Sequence, residues 1–239
     1  MWDLGSLNTE SVRAEISSST LLLPIGSVEQ HGPHLPLTVD LEIAAAIATE
    51  VARRLNGFVA PPIAYGARSI SHSGGGRAFA GNVFAKAGTL VAYIRDIILS
   101  FIESGARKIV IINGHYENES LIFEALEEAR DVSAGFHGMA VSWWSVVPEA
   151  LIGELFPGGF PGWHAEHAGV TETSLMLYLR PDAVGEVRVV NDHPPAAGIY
   201  ATDLACTNRG VLSTTAGASA AIGRALFDAI CAACVEAVQ

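Results

Sequence analysis

The 239-residue sequence predicts an α/β domain built on a mostly parallel sheet. Three observations carry that expectation. Short apolar runs alternate along the chain with stretches of helical periodicity. The two clearest runs, Leu21–Ile25 and Lys108–Ile112, are continuously apolar rather than alternating, as in strands covered on both faces. Both runs lead directly into clusters of His, Glu and Asp, and in parallel sheets ligands bind beyond the carboxyl ends of the strands.

The elements follow in order. Leu4–Ile16 reads as a short first helix with Asn8 or Thr9 as its cap. The strand Leu21–Ile25 stops at Gly26, and the segment from there to Asp40 holds Gly32, Pro33 and Pro36, which forbid a regular helix and predict a strand-end loop. Leu41–Leu55 has helical spacing and stops at Asn56–Gly57. Phe58–Ile63 is a proline-broken strand, and Tyr65–Gly81 is a loop containing Ser71, His72, Ser73 and the triplet Gly74–Gly76. No GK[ST] follows the glycines, so this is not a phosphate loop. Thr89–Gly105 is an amphipathic helix, Lys108–Ile112 the clearest strand, and Ser120–Asp131 the helix after it. Met139–Ser142 is a strand ending in Trp143 and Trp144, and Glu149–Leu155 is helical. A glycine- and proline-rich loop, Phe156–Trp163, precedes His164, Glu166 and His167, then a helix from about Ala168 to Leu179. Ala216–Val238 is a long apolar helix in which Cys231 and Cys234, three apart, read as packing residues.

Composition narrows the function classes. Half the residues are hydrophobic and 16% charged, enough apolar material for one large core. The net charge of −11 and the absence of a Lys/Arg cluster argue against nucleic acid or an acidic membrane surface as partner. No apolar run approaches the ~20 residues that span a bilayer, and the first residues, MWDLGSLNTE, lack the basic-then-apolar pattern of a signal peptide. Three cysteines form no disulfide framework. The expectation is a soluble, cytoplasmic protein.

The chemistry lies in the strand-end loops, which offer Glu29, His31, Asp40, His115 and Glu117. Their oxygens and nitrogens are donors that Zn²⁺ and Mn²⁺ accept. Three carboxylates and two imidazoles can hold two divalent ions if one carboxylate bridges, and such a pair can activate water and polarise an amide or ester carbonyl. Glu29/His31 and His115/Glu117 are each two apart, so in extended backbone the members of each pair point the same way.

LPIGSVEQHGPHLPLTVD, the SGGG at Ser73–Gly76, NGHYEN at Asn113–Asn118, GWHAEHAGVTETSLML at Gly162–Leu177 and DHPP at Asp192–Pro195 together resemble the creatininase family, in order and spacing, over nearly the whole chain. The resemblance implies one creatininase-like metallohydrolase domain over residues 1–239, a three-layer α/β/α sandwich often assembled as a hexamer. It implies two divalent ions: Zn²⁺ or Mn²⁺ on Glu29, Asp40 and His115, and Zn²⁺ on His31, Asp40 and Glu117, with Asp40 bridging. It also implies a catalytic role for His167, as proton carrier, and for Glu117. Ser73, Tyr116, Trp163 and position 164 would contact the substrate, and Trp144 would line its pocket. The implied substrate is a small cyclic amide, creatinine or a close relative. The wider family also includes deformylases of formamidopyrimidine nucleotides and a peptidase of the mycofactocin precursor. A non-catalytic metal-binding protein would need the same ligands without a proton carrier.

One position departs from the resemblance. Creatininases proper carry Asp where this chain has His164, a charged acceptor replaced by a ring that offers one donor and one acceptor when neutral. The Ala197–Arg209 segment also matches poorly. His34 reads as a supporting or structural residue, His72 and His137 as surface histidines, and His193 as a loop hydrogen-bonder. Trp2 and Trp143 read as packing residues. Glu172 is either a site-orienting residue or a plain helix carboxylate, and Glu166 either tunes His167 or faces solvent.

Overall fold

Five parallel strands in the order β1-β3-β2-β4-β5 form the central sheet of the computed structural model. It describes residues 2–70, 74–191, 193, 195–196 and 208–239. The strands are β1 (Trp2–Asp3), β2 (Thr20–Ile25), β3 (Phe58–Val59), β4 (Lys108–Asn113) and β5 (His137–Ser142). The helices are α1 (Thr9–Glu15), α2 (Val39–Leu55), α3 (Ala87–Glu103), α4 (Glu119–Val132), α5 (Glu149–Leu155), α6 (Val170–Leu179) and α7 (Ala220–Val238). Along β2 and β4 successive side chains alternate between the faces. Leu21, Leu23, Ile25, Ile109 and Ile111 join one core with α3 and α4. Leu22, Val110 and Ile112 join the other with α2, α6 and α7. Both faces are covered, which is why the two strands are apolar throughout and why the sandwich has three layers. Each fully buried Leu or Ile contributes about 1.5–3 kcal/mol.

Chain order places the functional crevice. β2 and β4 are neighbours in register, Leu22 opposite Val110 and Ile25 opposite Asn113. The chain leaves β2 for α2 on one face and leaves β4 for α4 on the other. The two loops diverge, and a crevice opens beyond the paired carboxyl ends.

Several boundaries differ from the sequence reading. The first helix is split into a 3₁₀ turn, Leu4–Ser6, and α1, whose cap is Asn8, with Oδ1 accepting from Ser11 N at 3.0 Å. α2 begins at Val39, so Asp40 stands in a helical first turn rather than on the loop. Asp40 and Glu42 are both there, where carboxylates meet the positive end of the helix. β3 is only two residues long, because Pro61 and Pro62 cannot donate to a ladder, and pairing resumes as a single bridge from Ile25 to Ile63. Ala168, at φ +54°, delays α6 to Val170. Gly217, at φ +82°, and the Ser219 cap delay α7 to Ala220. Cys231 and Cys234 are free and fully buried in the core, and His137 is exposed, as expected. His193 donates its backbone N–H to Asn191 Oδ1 at 3.0 Å. Ser73, His72 and almost all of Ala197–Arg209 lie outside the described residues.

Candidate metal centre

The crevice is held together by backbone contact. A Cβ on Gly114 would lie 2.1 Å from the Asp40 carbonyl oxygen, so only glycine lets the end of β4 press on the first turn of α2. Asn118 ties the loops further, accepting from Ala67 N at 2.7 Å and donating to Gly26 O at 3.0 Å. Asn113 Oδ1 accepts from His115 N at 3.0 Å and so fixes the turn that aims His115.

Five of the residues expected to bind metal meet there with His167. Asp40 divides its oxygens: Oδ1 lies 3.0 Å from His31 Nε2 and Oδ2 lies 3.0 Å from His115 Nδ1. Glu29 Oε2 is 3.3 Å from the same His115 nitrogen, and Glu29 Oε1 is 3.4 Å from His167 Nε2. Glu117 Oε2 approaches His115 from the other side, 3.2 Å from Nε2. Glu29, His31, Asp40 and His115 are almost wholly buried.

A further carboxylate enters the centre. Glu172 of α6 brings Oε1 to 3.6 Å from His31 Nε2. Among the described residues three overlapping sets have their ligand-type atoms within 4.8 Å of one another: Glu29, His31 and His167; Glu29, His115 and Glu117; and His31, Asp40 and Glu172. Glu172 belongs to a polar run, Thr171–Ser174, that is buried although it is helical. A carboxylate in the otherwise polar-neutral and apolar stretch VTETSLML was the available signal.

Tautomers and electrostatics fit divalent cations. His31 Nδ1 faces the Glu29 carbonyl at 3.1 Å, and His115 Nε2 faces the Ala67 carbonyl at 3.2 Å. A carbonyl only accepts, so those nitrogens donate to the carbonyls and the opposite ones are aimed at carboxylates, where a proton or a cation can sit between them. Glu29 Oε2, His31 Nε2 and Asp40 Oδ2 are buried without a hydrogen bond of good geometry, although their neighbours stand close. Burial opposes charge on the rings, but Asp40 and Glu172 raise His31 well above the usual imidazole value, and Glu29 and Glu117 hold His115 up at about 10. Burial raises Glu29 well above the carboxylate range, with Asp40 and Glu117 adding to it. Facing acceptors that draw in extra protons are a site for cations, which displace those protons on binding. No Lys or Arg lines the cavity among the described residues.

The surroundings order these groups. His167 Nε2–H donates to Gln30 O at 2.9 Å, and its ring lies 4.4 Å from that of His31. Burial, then His31, lowers His167 to about 4. Glu172 Oε2 accepts from Ala168 N at 2.6 Å and Glu166 Oε1 from Thr171 N at 2.9 Å. Glu166 is buried rather than solvent-facing, and burial together with Glu172 pushes it up to about 8. His34 Nε2 and Thr173 Oγ1 lie 2.9 Å apart, beside Glu172.

Over the centre stands an aromatic wall enclosing a cavity of about 30 Å³. Trp143 lies 5.7 Å from both Trp144 and Trp163, and Tyr116 lies 5.8 Å from Trp144. Trp143, expected only to pack, also lines the cavity with Tyr116, Trp144, Trp163 and His164. His164 Nε2–H donates to the Pro195 carbonyl at 3.1 Å. Ser73 lies outside the described residues.

The family description "Creatininase: Creatinine amidohydrolase" matches residues 6–238. The chain is 38% identical to a creatinine amidohydrolase of Pseudomonas putida, covering 99% of this chain and 95% of that one. It is 32% identical to a mycofactocin precursor peptide peptidase of Mycobacterium ulcerans, covering 98% and 91%. Among solved structures, a mutant creatininase of Zn–Zn type superposes with a TM-score of 0.93 at 34% identity, covering 98% and 96%. A creatininase described with Mn gives a TM-score of 0.92 at 35% identity, covering 98% and 96%. On a match that spans almost its whole length, this chain belongs to the creatininase family.

Proposed function

We propose that this metal-dependent amidohydrolase opens the amide C–N bond of a small ring, creatinine or a close analogue. The observation that carries the reading is Asp40, whose two buried oxygens each face an imidazole nitrogen at 3.0 Å. Glu29, Asp40 and His115 would hold one divalent ion, and His31, Asp40 and Glu172 the other, with Asp40 shared. Zn²⁺ and Mn²⁺ both suit these oxygen and nitrogen donors. Bound there, such ions supply Lewis acidity toward the carbonyl and lower the pKa of water.

The remaining work falls to the chain. His167, kept neutral by burial and already donating through Nε2, carries the proton toward the leaving nitrogen. Glu117, less buried than the other carboxylates, would accept a proton from the attacking water. The tryptophans exclude bulk water and present flat faces to a ring. That enclosed shape supports a small ring over a peptide. Assembly as a homo-hexamer is part of the same reading, and light scattering tests it.

Side-by-side turnover of creatinine, hydantoin-type rings and formamides identifies the substrate. His167→Ala should leave metal content intact and lower turnover of the best ring by about 10²–10⁴-fold. Retained turnover would overturn the role of His167, and no hydrolysis across the panel by the wild-type protein with both ions bound would overturn the function.

A further inference from the structure

The chain carries 14 lysines and arginines against a net charge of −11, yet three of those cations, Arg68, Arg77 and Lys86, line one cavity of about 360 Å³. All three are exposed, and none has a carboxylate within ion-pair distance among the described residues. Elsewhere arginines pair with an Asp or Glu close by, as Arg53 and Arg54 do with Glu50. Arg68 is steadied by Phe84, its guanidinium carbon 5.9 Å from the ring centroid.

This cavity backs onto the metal centre. Its wall is made by Ala67 and Glu117, and Glu117 also lines the catalytic cavity. Ala67 gives its carbonyl to His115 Nε2, and Glu117 turns Oε2 to the same ring while Oε1 accepts from Ile70 N at 3.2 Å. The carboxylate of that wall is thus engaged with its own surroundings, and the other charged groups of the lining are Arg68, Arg77 and Lys86. Three unpaired cations one side chain away from the reacting centre are a site for an anion.

We infer that Arg68, Arg77 and Lys86 form an anion subsite, and that the preferred substrate is a cyclic amide bearing a carboxylate or phosphate group. This rests on the proposed hydrolase activity for its substrate class, but not for the existence of the subsite. The anionic group would sit in the basic cavity, on the far side of Glu117 from the His115 ring, with the ring amide on the metal-centre side. The selectivity is electrostatic and weakens as salt rises.

Two arms test it on the metal-loaded protein. In the first, kcat/KM is compared for hydantoin and hydantoin-5-acetic acid. The wild-type protein should favour the carboxylated ring, and the ratio should fall about tenfold or more in the double variant Arg68→Glu, Arg77→Glu. The variant Arg68→Lys, Arg77→Lys should keep most of it. Because the readout is a ratio, partial misfolding does not imitate the result. A ratio near one in the wild type, or one unmoved by charge reversal, overturns the subsite. In the second arm, inorganic phosphate is titrated by calorimetry at low and high salt. Binding to the metal ions is common to all variants, so the component lost on charge reversal reports the cavity. If neither ring is hydrolysed, the proposed function fails, and the phosphate arm still decides on the subsite. If charge reversal leaves phosphate binding intact and instead changes the oligomeric state, the cavity belongs to an interface and the inference falls.

Discussion

Asp40 is the residue on which the centre turns, and its neighbours give the sharpest test of which carboxylate completes each ion site. Glu172 stands by His31 and Glu117 by His115. Glu172→Gln should therefore lose about one of two ions per chain, while Glu117→Gln should retain both and lose turnover instead. Elemental analysis of the purified variants checks this, and the opposite pattern would make Glu117 the second ion's ligand, as the resemblance implies. His164 offers a second test. Its Nε2–H donates to Pro195 O, so His164→Asp removes a donor and places a carboxylate on the loop that covers the site. Creatinine turnover should rise by about one to two decades, the worth of a charge-assisted hydrogen bond. An unchanged rate would assign His164 to loop packing alone. Most of the donor set was legible in the sequence because short spacings in LPIGSVEQHGPHLPLTVD and NGHYEN place it. Glu172 was ambiguous because it arrives from a distant helix, and only the fold shows that α6 turns this face inward.

At the scale of elements, strands were more legible than helix starts. β2 and β4 declare themselves by continuous apolar runs, since both faces of the sheet are covered. The start of α2 was hidden by Pro33 and Pro36, which pointed to loop up to Asp40, whereas the helix begins three residues after the last proline. The glycines divide into two kinds with opposite expected behaviour. Gly114→Ala would drive a Cβ into the Asp40 carbonyl oxygen, 2.1 Å away. It should cost about 3 kcal/mol or more, and lower metal affinity as well, because something in the junction must shift. Gly153, within α5, has nothing within 4 Å of an added Cβ. Gly153→Ala should stabilise by about 0.5–1 kcal/mol through helix propensity and the entropy of the unfolded chain. Chemical denaturation of the two variants should show shifts of opposite sign.

For the whole molecule, two apolar cores on either side of one sheet carry the fold, while the metal centre is a polar seam at its upper edge. Without cations, that seam gathers Glu29, Asp40, Glu117 and Glu172 around two imidazoles. Chelation should therefore lower the melting temperature, and returning Zn²⁺ or Mn²⁺ should restore it. At a thousandfold excess of free ion over its dissociation constant the linkage is worth about 4 kcal/mol per site. An identical melting curve with and without chelator would mean that the centre binds no ion tightly. The placement of the seam followed from topology that no single stretch of sequence contains: β2 and β4 are separated by α2, β3 and α3 along the chain but adjacent in the sheet.

Three of the four tryptophans, Trp143, Trp144 and Trp163, gather in that aromatic wall with centroid spacings of 5.7 Å from Trp143 to each of the others. Edge-to-face indoles so close couple their excited states. The near-ultraviolet circular dichroism of this protein should be dominated by one exciton-like signal from the roof of the reaction chamber. Its intrinsic emission should respond to Mn²⁺, which quenches, differently from Zn²⁺, which does not. The enzyme thus carries a built-in optical reporter of which ion it holds and of when a ring slides beneath the indoles.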